Sequence, residues 1–198
     1  KDRVLLVLDE ADVLYQMDIY PWPRAYRQAL DVRNTLIFPI IKTQMRTEQL
    51  QFVCPLAQPL ELYLVKLSSR TDIQIKSLDD AKQYTIGLVR DDHDHEFLSK
   101  RGFEDNIHLD TNVDDLSSLR KLIKGRIDLM IQSKTSLADK IEQLDVRPNI
   151  ISFEYKVDLE GESEICMAFS TGTPKNLVQK VQGALDTVNE SHPLIDLN

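Results

Sequence analysis

Arg46 stands three residues after Thr43 in the turn Thr43-Gln44-Met45-Arg46, just past the apolar run at 35–41. An arginine at the end of a buried strand, beside a hydroxyl and a helix start, suits capture of a small anion such as a carboxylate. Its planar guanidinium matches two carboxylate oxygens at once, and the pair strengthens away from bulk water. The bland alternative is a surface arginine in an ordinary turn. A second candidate is Asp91-Asp92-His93-Asp94-His95-Glu96, whose histidines and carboxylates are transition-metal ligand types. Metal capture needs three or four of them to converge, whereas acids at a strand-to-helix handover serve the positive helix end. The reading is therefore a solvated cap, with no metal site. Trp22, the one tryptophan, follows Pro21 and precedes Pro23 and Arg24. It suits an apolar ligand wall, a stacking surface for a cation, or a plain core anchor. Arg24 offers a second positive group or a solvated helix residue.

No catalytic constellation emerges. G-x-S-x-G, P-loop, G-x-G-x-x-G and H-E-x-x-H patterns are all missing from the sequence. No cofactor is implied, and the chain does not read as an enzyme. Cys54 and Cys166 allow at most one internal bridge, and with no C-x-x-C spacing they read as free buried thiols. The net charge of −8 argues against nucleic acid and anionic membrane surfaces, which need a basic face. No apolar run approaches the roughly 20 residues that span a bilayer, so direct membrane insertion is not expected. Lys1-Asp2-Arg3 before VLLVL lacks a signal-peptide cleavage site. The length of 198 residues suffices for one large domain or two small ones with real cores.

The elements that must position these groups alternate in type. Residues 4–14 read as a helix by length, 17–20 as a short strand, and 24–30 as a helix opened by Pro23. A buried strand covers 35–41, with Pro39 late in it. A short apolar run at 52–54 closes on Pro55. Leu60, Leu62 and Leu64 alternate with Glu61 and Tyr63 as in a half-buried strand. Ser77 to Asp80 looks like a capping box. Strands follow at 84–89, 107–109, 127–131 and 150–155. Helices fall at 96–101, after an Asn112 cap, and at 136–144, with Gly102 and Gly125 as helix stops. Asp128 lies inside a strand and reads as structural. A strand at 165–169 precedes a helix with Thr173 as N-cap and Pro174 as its first residue. This alternation argues an α/β fold with largely parallel sheets.

Several of these stretches, in this order, resemble the bacterial extracellular solute-binding proteins of family 3, the periplasmic polar amino acid-binding type. Thr43-x-x-Arg46 resembles the family's T-x-x-R, and Pro21 to Arg24 a P-W-x-R variant. SLDDAKQYTIGLV (77–89) resembles the segment that opens the second lobe. LRKLIKGRIDLMIQ (119–132) and AFSTGTP (168–174) resemble the L-x-x-G-R-x-D-A and return-strand motifs. The family's opening strand should precede Val4 and has no counterpart, so the chain looks truncated or shortened.

The resemblance implies a two-lobed, type II periplasmic-binding-protein-like α/β fold whose lobes are joined by two crossing strands. Lobe one would be 1–68 plus 161–198 and lobe two 69–160, with crossings near 67–69 and 160–163. Arg46 would clamp a ligand carboxylate with Thr43. Phe38, Pro39 and Ile41 occupy strand-end positions that usually offer hydroxyls or glycines, so this chain has fewer donors there. In lobe two, Arg90, Asp92 and His93 match the ligand-contacting turn. Ser133 stands where the family places the carboxylate for the ligand amine, a departure that Asp92 or Asp94 would have to offset. The implied function is periplasmic capture of a small polar solute for the membrane permease of an ABC-type importer, with hinge closure. Two alternatives are a ligand-sensing domain of a signalling receptor and a family member with a degenerate pocket.

Overall fold

A computed structural model describes residues 2–196. By contact the chain divides into two units. The first comprises residues up to Tyr20, Arg24–Leu60 and Glu160–Asp196, and the second Pro21–Pro23 and Glu61–Leu159. The chain passes from first to second after Leu60 and returns after Leu159.

In the first unit, β1 (Leu36–Ile41), β2 (Leu50–Val53) and β8 (Ile165–Ser170) form a sheet of order β1-β8-β2, antiparallel throughout. All six residues of central β8, Ile-Cys-Met-Ala-Phe-Ser, are buried, which explains its continuous apolar run. The β1–β8 register shifts between Ile37 and Ile40, where Pro39 has no amide to donate. Helix α1 (Asp2–Glu10) buries Val4, Val7 and Leu8 at helical spacing. Helix α7 (Lys175–Ser191) buries Val181, Ala184, Leu185 and Val188. Arg3, also buried, ties the two helices together. Its guanidinium donates to the carbonyls of His192 (2.8 Å) and Pro193 (2.9 Å) and to Asn189 Oδ1 (2.5 Å), at the carbonyl-rich end of α7. Helix α2 (Trp22–Asp31) and the single turn α3 (Gln44–Thr47) flank β1 in sequence.

The second unit carries β3 (Leu62–Leu67), β4 (Ile86–Val89), β5 (Leu109–Asn112), β6 (Leu129–Gln132) and β7 (Ile151–Val157) in the order β5-β4-β6-β3-β7. Strands β5, β4 and β6 run parallel, while β3 pairs antiparallel with both β6 and β7. Helices α4 (His93–Ser99), α5 (Asp115–Ile123) and α6 (Lys134–Gln143) follow β4, β5 and β6. Val65, Leu119, Leu122, Ile127, Met130, Leu137, Ile141 and Ile151 make a continuous core. Beneath it, Lys66 pairs with Glu154 at 2.7 Å and donates to the Ile73 carbonyl. Asp128 lies just before β6 rather than inside a strand, yet it is structural as expected, accepting from Arg70 (2.6 Å) and from the Thr85 amide (3.0 Å).

Several expectations fail for local reasons. The sheets are not largely parallel: one is antiparallel and the other mixed, because β2, β3, β7 and β8 pair with strands of opposite direction. Residues 17–20 are irregular, and Ile19 is 86% exposed, so its apolar character finds no sheet to join. Asn112 ends β5 rather than capping a helix; Asp114 caps α5 through the Ser117 amide at 2.7 Å. Thr173 does not cap α7, because its hydroxyl bonds Ser170 Oγ at 3.0 Å instead. The cysteines are not free thiols: Cys54 and Cys166 form a disulfide across 112 positions. The β2–β8 register, with Val53 opposite Met167, sets them face to face. Sequence spacing could not reveal that pairing.

Candidate functional site

Strand β1 delivers the chain to Thr43, whose extended backbone (φ −122°, ψ 161°) and Oγ1 cap the α3 turn by accepting from the Arg46 amide at 3.3 Å. That turn places Arg46 beneath the strand end. The residue is completely buried, and its Nη1 donates to the Ile41 carbonyl at 3.2 Å. Its guanidinium carbon lies 5.2 Å from the centroid of the Tyr26 ring of α2. The Tyr26 hydroxyl donates in turn to Gln49 Oε1 at 3.1 Å. A buried cation costs several kcal/mol unless acceptors surround it, and the Ile41 carbonyl and the face of the Tyr26 ring are two such partners. Phe38 is half-buried on β1 and Pro39 is exposed. With the Ile41 carbonyl committed to Arg46, the strand end offers little else to a ligand.

In the second unit, the parallel strands β4, β5 and β6 all release their chains at the same sheet edge. Helices α4, α5 and α6 begin there, capped by Asp92, Asp114 and Ser133. Outside the carboxyl ends of parallel strands, beside helix N-termini, is where open α/β sheets take small ligands. The topology therefore brings Arg90, Asp92, His93 and Ser133 to one edge. Each is partly committed to the fold. Asp92 Oδ1 accepts from the His95 amide at 2.9 Å, and Ser133 Oγ from the Ser136 amide at 3.2 Å. Exposed Arg90 donates to Thr111 Oγ1 at 3.3 Å. His93 is buried, with Nδ1 3.1 Å from Asp94 Oδ1 and its ring stacked on Phe97 at 5.7 Å. His95 Nδ1 accepts from the Asp91 amide at 3.1 Å, which leaves its proton on Nε2, 3.0 Å from Asp105 Oδ1. The two imidazoles thus serve different partners. Asp91 holds a left-handed turn (φ 59°), and its carbonyl accepts from the Trp22 indole at 2.8 Å. Trp22 is therefore an anchor in the second unit, with its polar tip satisfied. Arg24 is exposed, its guanidinium 4.1 Å over the Tyr20 ring.

Sequence reasoning missed a polar network at the same edge. Gln132, the last residue of β6, donates to Asp115 Oδ1 (3.0 Å) and accepts from Lys140 Nζ (2.9 Å). Lys140 also pairs with Asp115 at 3.2 Å and bonds the Ser136 hydroxyl. A cavity of about 310 Å³ opens beside them, lined by Asp114, Asp115, Ser136, Asp139, Lys140 and others. The three network residues come from β6, α5 and α6, so no spacing along the chain signals them. Among the described residues, no helix is long and apolar enough to cross a membrane.

No family model matches the chain, and no curated protein matches by sequence. Solved structures match closely in fold at low identity. A histidine kinase sensor domain with similarity to periplasmic binding proteins aligns with a TM-score of 0.83 at 15% identity, over 96% of this chain and 79% of its own. An ancestral arginine-binding protein bound to arginine gives 0.77 at 14%, over 96% and 85%. The arginine-, lysine-, histidine-binding protein ArtJ from Geobacillus stearothermophilus gives 0.76 at 18%, over 96% and 79%. The mixed α/β fold is that of the two-lobed periplasmic binding proteins.

Proposed function

We propose that the chain is a solute-binding protein of the family 3 type. It would capture a small polar, carboxylate-bearing solute outside the cytoplasm and pass it to the permease of an ABC-type importer. The two contact-defined units act as its lobes, close on the solute by hinge motion, and perform binding rather than turnover. The observation that carries this reading is Arg46, a guanidinium fully buried at the end of β1 and fixed by a Thr43-capped turn. Its fork takes the carboxylate, with Thr43 and Phe38 lining the same strand end. From the second unit, Arg90, Asp92, His93 and Ser133 supply the opposing contacts, with Trp22 as an apolar wall. Two structural neighbours are an arginine-binding protein and an arginine-, lysine-, histidine-binding protein, which supports a solute of that size and polarity. The disulfide supports an oxidising, extracytoplasmic compartment such as the periplasm. The test is thermal unfolding against a panel of amino acids and small carboxylates. A stabilising ligand should raise Tm in the native protein and leave Arg46→Ala unshifted; an equal shift in both removes Arg46 from the site.

A second reading rests on the sensor-domain neighbour, whose TM-score of 0.83 exceeds the 0.77 and 0.76 of the two amino acid-binding neighbours. In it the same solute site regulates an attached signalling module. The full-length gene decides, since a kinase or similar module joined to this domain favours the sensor.

A further inference from the structure

Beyond solute capture, the first unit contains a second constellation of chemical groups. Cys54, Cys166 and Glu164 each offer a ligand atom, and these three atoms lie within 4.8 Å of one another. Among the described residues no other cluster of histidine, cysteine and acidic groups converges this way. Cys54 extends β2 by one residue and faces Cys166 of β8, with their Cα atoms 4.6 Å apart, the spacing of a non-hydrogen-bonded antiparallel pair. At such a pair neither cysteine's amide bonds across the ladder. For Cys54 those groups go to α7: Gln182 Oε1 accepts from the Cys54 amide (2.9 Å), and Gln182 Nε2 donates to the Cys54 carbonyl (2.8 Å). The backbone that carries Cys54 is thus held by bonds that do not involve its sulfur, and β8 holds Cys166. Two residues before Cys166, Glu164 sits at the open end with its side chain 43% exposed, in a pair with Lys42 at 3.2 Å. Solvent and ions reach the carboxylate from that side.

We propose that reduction of the bridge turns this cluster into a divalent metal site with two thiolates and one carboxylate as protein ligands. Two equivalents of a small thiol supply the two electrons and two protons. The S–S bond breaks, both protein sulfurs become thiols, and the reductant leaves as its own disulfide. A zinc ion then displaces the two thiol protons, binds both sulfurs and the Glu164 carboxylate, and keeps water in the fourth position. Borderline-soft ions with no geometric demand of their own, Zn²⁺ and its congener Cd²⁺, suit such a donor set. In the oxidised protein the sulfurs are bonded to each other and the site does not exist. Oxidation state therefore gates metal capture.

The experiment titrates the protein with Cd²⁺, before and after thiol reduction, and follows the ultraviolet thiolate-to-cadmium charge-transfer band. One equivalent should bind the reduced protein and none the oxidised, and Zn²⁺ should displace the band. Glu164→Ala should weaken binding by roughly tenfold or more, since even outer-shell partners of a metal ligand are worth that much. Lys42→Ala, which releases the carboxylate from its pair, should tighten it. Near-ultraviolet circular dichroism monitors the fold; if reduction loosens it, Zn²⁺ should restore the native signal. Absence of the band in reduced protein, failure of Zn²⁺ to restore a loosened fold, or unchanged affinity in Glu164→Ala overturns the site.

Discussion

Removing the Cys54–Cys166 bridge measures how far the two units unfold together. The bond closes a loop spanning 112 positions, and that loop contains almost all of the second unit. If the whole chain unfolds at once, the bridge restrains a coil of that length. The chain-entropy relation then gives a loss of about 5 kcal/mol at 25 °C for the doubly substituted Cys54→Ala/Cys166→Ala protein. If the first unit unfolds while the second stays folded, the coil between the cysteines shrinks to residues 54–60 and 160–166, seven on each side. The same relation over about 14 residues gives only about 3 kcal/mol. Urea unfolding read by tryptophan fluorescence and by far-ultraviolet circular dichroism separates the cases. With a slope of ~2 kcal/mol per molar, the midpoint drops by roughly 2.5 M for concerted unfolding and roughly 1.5 M for sequential unfolding. Trp22 belongs to the second unit, so in the sequential case its transition should stay in place while the dichroism splits. A midpoint change below ~0.5 M, with the bridge verified by mass in the parent protein, refutes the loop argument.

Three further outcomes follow from packing and charge. Lys66→Met strands the carboxylate of Glu154, whose side chain is only 19% exposed, and should cost about 3 kcal/mol in thermal unfolding. Adding Glu154→Leu should recover most of the loss. Gly87→Ala puts a methyl 2.3 Å from Ile127 Cδ1 and 3.3 Å from Ser118 Cβ, for a loss of about 1–3 kcal/mol. Ile127→Val, which deletes the clashing atom, should make the glycine substitution cheaper than it is alone. The carboxyls of Asp72 and Asp80 are held below their ordinary value of 3.8, the first by the Arg70 guanidinium and the second by the Lys76 and Ser77 amides. A lowered folded-state value contributes stability that is complete above the unfolded-state value and is lost as pH falls through the folded one. Acid denaturation should therefore steepen below pH 3.8, and Asp80→Asn should flatten that limb relative to the parent.

What the sequence reveals depends on whether the deciding interaction is local. Thr43 as cap of the Arg46 turn, Asp128 as a structural acid and Gly125 as a helix stop are set within a few residues, and each is readable from type and spacing. The Asp92 to Glu96 run reads as a helix cap, and Asp92 caps α4 through the His95 amide. Strand direction is not local. The run Leu62–Leu67 looks the same whether it joins a parallel or an antiparallel neighbour, and only its pairing with β6 and β7 fixes the mixed sheet. The Cys54–Cys166 bridge and the Gln132–Asp115–Lys140 network likewise join distant segments. The exposed stretch around Ile19 mimics a strand in composition, yet no partner strand takes it up, and the helix read over 4–14 ends at Glu10.

The central claim, that Arg46 holds a small anionic group, is tested most directly by native mass spectrometry of gently purified protein. The parent should carry a co-purified small molecule bearing a carboxylate. Arg46→Lys, which keeps the charge and loses the planar fork, should retain it weakly, and Arg46→Ala should lose it while its dichroism stays native. A parent that carries no adduct and gains none across the solute panel, or an Arg46→Ala variant that holds the same adduct as firmly, would contradict it.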